Sequence, residues 1–140
     1  MKKILIAIDY GPTSEKVATA GLELRKHFHA EIALVSVVDS KSLTTDGTVA
    51  TSELLEDMIR ITNVNHKLII QNLFKYYKVR TFVEVGTPSE AIIRVASEWE
   101  ADIVVLGARG KKGMSQLPVG SVAEKVIRHS SKPLFVIPTN

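Results

Sequence analysis

The sequence predicts an α/β sandwich, a five-stranded parallel sheet with helices on both faces, wound in two directions. Three observations carry that prediction. Short apolar runs alternate with amphipathic stretches along all 140 residues. Three of the runs are apolar almost throughout, as strands buried on both faces must be. Such strands, each followed by a helix, need crossover connections, and these build a parallel sheet covered on both sides.

The elements follow in order. Ile4-Leu5-Ile6-Ala7-Ile8 is the first strand, closed by Asp9 and the turn Tyr10-Gly11-Pro12. From Thr13 onward Val17, Gly21, Leu24 and Phe28 form one helical stripe, which ends near His29. Ile32 to Val38 is the second buried strand, again ending at an acid, Asp39. Ser40 to Thr51 is polar and aperiodic, with Asp46-Gly47 as a turn signal, and its length suits a loop that closes over a ligand. Ser52 to about Lys78 reads as a long helix built on Leu55, Met58, Ile59, Leu68, Ile69, Leu73 and Tyr77.

Val79 to Val85 alternates apolar and polar residues, as an edge strand does. Gly86 turns the chain. Thr87-Pro88-Ser89-Glu90 then opens a helix with a capping box and a proline at its first position, and that helix carries Ile92, Ile93, Val95, Ala96 and Trp99. Ile103 to Leu106 is the fourth strand, ending at Gly107. After a glycine-rich segment, Ser121-Val122-Ala123-Glu124 is a second capping box, opening a helix to about His129. Lys132-Pro133 introduces the last strand, Leu134 to Ile137. The expected sheet is Rossmann-like, with strand order 3-2-1-4-5, in one domain spanning residues 1–140.

Composition narrows the function. With 18 Lys+Arg against 15 Asp+Glu, the net charge of +3 is too small to announce a nucleic-acid partner. The absence of cysteine excludes a disulfide framework, an iron–sulfur cluster and a thiol nucleophile. The apolar run after Lys2-Lys3 is five residues long, short of the roughly 7–15 of a secretory signal. No run approaches the roughly 20 residues of a membrane span. A cytoplasmic protein without a membrane partner is expected.

Ligands of such sheets lie beyond the carboxyl ends of the strands, where the winding reverses. Here that means the turns after strands one and four, at Asp9 and Gly107. The second turn reads Gly107-Ala108-Arg109-Gly110-Lys111-Lys112-Gly113 and runs on to Gly120-Ser121 at a helix start. Glycines let backbone N–H groups approach an anion, and a helix N-terminus favours phosphate. A strand-end turn at Gly107 and a simple N-cap at Ser121 explain the same residues without a ligand. Asp9 has two readings as well, a cap on the next turn or a carboxylate for ribose hydroxyls. The chain lacks a P-loop, a G-x-G-x-x-G turn and a G-x-S-x-G elbow. His27, His29, His66 and His129 are scattered over helices and read as surface residues rather than metal ligands.

Gly107-x-x-Gly110, nine residues, then Gly120-Ser121 resembles the nucleotide signature G-x2-G-x9-G-[ST] of the universal stress protein family, in its ATP-binding branch. The resemblance spans the chain. It includes Lys3 to Asp9, Ser36 to Asp39, Gly86 to Ile92, Ala101 to Gly107, Gly120 to Ile127 and Lys132 to Ile137. It implies ATP in the cleft already located, with Asp9 at the ribose and the Val37 backbone at adenine. Gly107, Gly110, Gly120 and Ser121 would contact phosphate, and Arg109 adds charge inside the loop. A divalent metal such as Mg2+ often accompanies the phosphates in the family, though no residue here is a convincing ligand for one. Gly11 stands where family members often carry Ser or Thr, so a hydroxyl contact is missing there.

The resemblance also implies a homodimer through the apolar edge strand Leu134 to Ile137, which an unpaired edge favours on its own account. The expected role is a stress-response or regulatory factor acting on an unidentified protein partner, not an enzyme. A slow ATPase or nucleotidyl-transfer enzyme is the first alternative, and an interaction module without nucleotide is the second. Between Gly107 and Lys132 six basic residues face one acid, Glu124, a net +5 that the chain total of +3 conceals.

Overall fold

The computed structural model describes residues 2–9, 11–39, 52–108 and 120–139. It contains β1 (Lys3–Ala7), α1 (Ser14–Phe28), β2 (Glu31–Val38), α2 (Ser52–Leu73), β3 (Val79–Val85), α3 (Pro88–Glu98), β4 (Ile103–Ala108), α4 (Ser121–His129) and β5 (Leu134–Pro138). The sheet order is β3-β2-β1-β4-β5, every neighbouring pair is parallel, and the expected order 3-2-1-4-5 holds.

Period-two alternation divides the apolar strands between two cores. Ile4, Ile6 and Ile8 of the first strand segment join Ile32, Leu34 and Val105 under Val17 and Ala18 of α1 and Ile69 of α2. Leu5, Ala7, Ala33, Val35, Val104 and Leu106 point the other way. They meet Ile92, Val95 and Ala96 of α3 and Ala123 and Val126 of α4. Each of these strand residues is 9% exposed or less, which is why runs without polar alternation were needed in the centre of the sheet. Helix α1 sits close because Gly21 faces Ile6: a Cβ there would lie 2.2 Å from Ile6 Cδ1.

The connections are set by local chemistry. Gly86 has φ +147°, a conformation that side-chain-bearing residues rarely adopt, and its N–H donates to the Val38 carbonyl at 3.0 Å. At the opposite end of the sheet the Lys3 N–H donates to Asp102 Oδ2 at 2.8 Å, tying the start of β1 to the turn before β4.

Several expected details differ. Helix α2 stops at Leu73 rather than near Lys78. Phe74 is fully buried, and the Tyr77 N–H donates back to its carbonyl at 3.0 Å. The chain must reverse there so that Val79 can pair with Ile32. Leu68, expected on the buried stripe of α2, is 51% exposed, while Thr62, His66 and Ile69 are buried instead. Phe28 ends the α1 stripe largely outside the core, and α1 buries Ser14, Val17, Ala18 and Gly21. Neither expected capping box forms. Thr87 is an N-cap without a side-chain cap bond, although Pro88 takes the first helical position as expected. Among the described residues no helix is long and apolar enough to cross a membrane.

Candidate functional site

The central strand decides where the candidate residues meet. Ala7 pairs with Val35 on one side and with Leu106 on the other. Extending both registers by two residues sets Asp9 level with Val37 and with Ala108. The winding reverses at β1, because β2 and β3 lie to one side of it and β4 and β5 to the other. Asp9 is exposed beyond the end of β1, and Val37 is half-buried one residue before the end of β2. The strand ends therefore bring Asp9, Val37 and the β4 terminus to one edge of the sheet.

Gly107 lies within β4, paired with Ile137, and not in a turn after it. A Cβ at this position would come within 2.9 Å of Thr139 Cγ2 and 3.0 Å of Val17 Cγ2. Close packing between α1 and the β5 terminus thus requires this glycine whether or not a ligand approaches it.

The start of α4 is the most anion-friendly feature described. Gly120, not Ser121, is the N-cap, in extended backbone at φ −63° and ψ 159°, and no side chain among the described residues caps this end. The Glu124 N–H donates to the Gly120 carbonyl at 2.9 Å. The N–H groups of Ser121, Val122 and Ala123 have no partner within the helix, as in any first turn. Ser121 is exposed at the first helical position, so its hydroxyl is left for other work. First-turn N–H groups and the positive end of the helix dipole suit a phosphate. Part of the basic charge nearby is already matched, since Arg128 pairs with Glu124 at 2.6 Å. Arg109 and Gly110 lie outside the described residues, as do Lys111, Lys112 and the segment 40–51 expected to act as a lid.

Among the described residues no group of three or more His, Asp or Glu side chains stands close enough to hold a metal ion. The side chains described do not fit a protein-held divalent ion.

One buried polar group was missed. His66 was expected on the surface with the other histidines, and His27, His29 and His129 are indeed exposed, but His66 is 1% exposed. Its Nε2 lies 2.8 Å from Ser36 Oγ, and Ser36 Oγ donates to the Ile8 carbonyl at 2.7 Å. Ser36 spends its single proton on Ile8, so Nε2 must carry the proton of the shared bond. Nδ1 is then the bare nitrogen, and among the described residues it has no hydrogen-bond partner. Burial pushes the imidazole pKa down to about 4 and keeps the ring neutral. Two signals pointed here. Ser36 interrupts an apolar run on the face that carries Ile32 and Leu34, and His66 follows Thr62 and precedes Ile69 at helical spacing.

The model of the universal stress protein family matches residues 1–138. Universal stress protein MJ0531 of Methanocaldococcus jannaschii is 28% identical over 138 residues, covering 97% of this chain and 81% of its own. The solved structure of the hypothetical protein MJ0577, from the same organism, superposes with a TM-score of 0.71 at 28% identity and covers 99% of this chain and 96% of its own. A universal stress protein from Archaeoglobus fulgidus, solved in complex with dAMP, has the same fold, with a TM-score of 0.68 at 21% identity and 98% of each chain covered.

Proposed function

This chain belongs to the universal stress protein family, and on that premise we propose that it binds an adenine nucleotide, ATP first of all. The site is the cleft at the carboxyl edge of the sheet. Asp9 holds the ribose, the Val37 backbone meets adenine, and Gly120 and Ser121 with Gly107, Gly110 and Arg109 take the phosphates. The observation that carries the reading is the start of α4, the helix that follows β4 beside the winding reversal: a glycine cap, no capping side chain among the described residues and an exposed Ser121 at the first helical position. The dAMP complex of the Archaeoglobus fulgidus protein supports it as a ligand class compatible with this fold. Any Mg2+ present would take its ligands from phosphate and water. Among the described residues no general base stands at the phosphate end, and the proposed action is binding rather than turnover. The chain would work as a single cytoplasmic domain, a regulatory factor whose contacts with a protein partner depend on nucleotide.

Calorimetric titration with ATP, with and without Mg2+, tests this directly, alongside identification of any nucleotide released on denaturation. The backbone at Gly120 suits any residue, so Gly120→Val adds bulk at the phosphate position without strain. Affinity should fall at least about tenfold, while the melting temperature stays near that of the unmodified chain. No binding by the unmodified chain at millimolar ATP would remove the proposal and leave an interaction module. ADP formation lost on mutating the loop would favour an enzyme.

We also propose a homodimer through β5, an edge strand whose Phe135 is 50% exposed. Strand pairing across a two-fold axis would cover the open edge. Sedimentation should find a dimer that Phe135→Asp weakens. A monomer at all concentrations would refute it.

A further inference from the structure

A hydrogen-bonded chain runs beneath the proposed cleft, from α2 through β2 to the end of β1. We propose that Ser36 and His66 are a positioning pair that sets the spacing between Asp9 and Val37, and so the affinity for nucleotide. The inference rests on the nucleotide reading above and names two residues outside the family signature.

The Ile8 N–H donates to the Val35 carbonyl at 3.0 Å. Beyond it the Ile8 carbonyl is held by a side chain, Ser36 Oγ, at 2.7 Å. The next residue along β1 is Asp9, and the next along β2 is Val37. The two residues assigned to ribose and adenine are therefore each one peptide unit from an atom of this bond. The bond therefore ties β2 directly to the residue that precedes Asp9.

His66 fixes the serine. A hydroxyl rotates about its Cβ–Oγ bond and can donate in several directions. The Nε2–H, at 2.8 Å, occupies an acceptor lobe of Oγ and turns its proton toward Ile8. The cost is a buried Nδ1 without a partner among the described residues. A side chain present only to fill space would be cheaper as an apolar residue, because an unsatisfied buried acceptor destabilises the fold. A neutral donor reaching from α2 into the β1–β2 junction is what that cost secures.

The test uses Ser36→Ala, Ser36→Thr, His66→Met and His66→Gln, titrated with ATP where circular dichroism shows each to be folded. Ser36→Ala removes the bond to Ile8 and should weaken ATP by about tenfold, whereas Ser36→Thr keeps the hydroxyl and should bind like the unmodified chain. His66→Met removes the donor and should weaken ATP by roughly threefold to tenfold, and His66→Gln, whose amide N–H can stand in for Nε2–H, should restore it. A merely structural pair would lower the stability of these variants without this pattern of loss and rescue. Unchanged affinity in Ser36→Ala, or equal loss in both members of each pair, would overturn the proposal. If His66→Met does not fold, the two Ser36 variants decide alone.

A second readout needs no nucleotide. In the apo protein, the 15N spectrum should show an Nε2–H neutral tautomer for His66. Ser36→Ala should shift and loosen the amides of Asp9 and Val37. If the unmodified chain binds no ATP, the nucleotide reading fails by itself. The pair is then judged on these spectra, and unchanged amides at Asp9 and Val37 would end it.

Discussion

Replacing Phe74 with alanine should lower the free energy of unfolding by about 3–5 kcal/mol, the range for truncating a fully buried aromatic ring. Phe74 has no exposed surface and belongs to the core shared by α1, α2 and one face of the sheet. It stands just past α2, with its N–H on the Ile70 carbonyl at 2.9 Å, where the chain turns toward β3. The ring therefore seals the end of the helix and the start of the edge strand together. Since domains are stable by only about 5–15 kcal/mol, the loss would be a large fraction of the total. Phe28, 43% exposed at the end of α1, is the internal control, and its alanine variant should lose no more than about a third as much. Urea unfolding at constant m separates the two. A similar shift in midpoint for both would show that the turn after α2 is not packed as described.

The second large effect is acid destabilisation through His66. Its pKa is about 4 in the folded chain and about 6.5 when exposed on unfolding. Between these values the unfolded state binds a proton that the folded state refuses, so stability rises with pH. The contribution is fully present above about pH 6.5, declines as pH falls, and is gone below about pH 4. A gap of this size corresponds to roughly 3 kcal/mol. Carboxylates titrate in the same region, so the measurement compares the unmodified chain with His66→Gln, which has no proton to gain. The difference in unfolding free energy between the two should change by roughly 3 kcal/mol from pH 7 to pH 4. A constant difference would mean that His66 is solvated or charged in the folded state.

The sheet edge that brings Asp9 and Gly107 together was legible in the sequence. The alternation of apolar runs specified a parallel sheet, and the usual reversal after strand one pointed to Asp9 and Gly107. Gly120-Ser121 stood out by spacing, and the start of α4 has the open first turn that spacing suggested, with Gly120 rather than Ser121 as cap. Gly107 was half-read. It sits at the expected edge, but Val17 and Thr139 already demand a glycine there. That demand joins α1, β4 and the chain beyond β5, which no local pattern records.

The histidine was the larger miss, because composition and spacing treat it as a lone polar residue on a helix. Its meaning depends on Ser36, which lies 30 positions away on another element. Likewise, the α2 pattern continued to Tyr77, but the helix ended where Phe74 found the core.

By itself, the sequence determined the order of elements, the faces that the central strands bury, and which strand ends meet where the winding reverses. These follow from periods of two and 3.6 residues and from connection rules, all of which are local or topological. Only the tertiary structure decided which polar groups meet in the interior, where α2 stops and why Gly107 must lack a side chain. Each depends on the register between remote elements. A shift of one residue there would turn Ser36 from α2 toward the opposite core while leaving the sequence pattern unchanged.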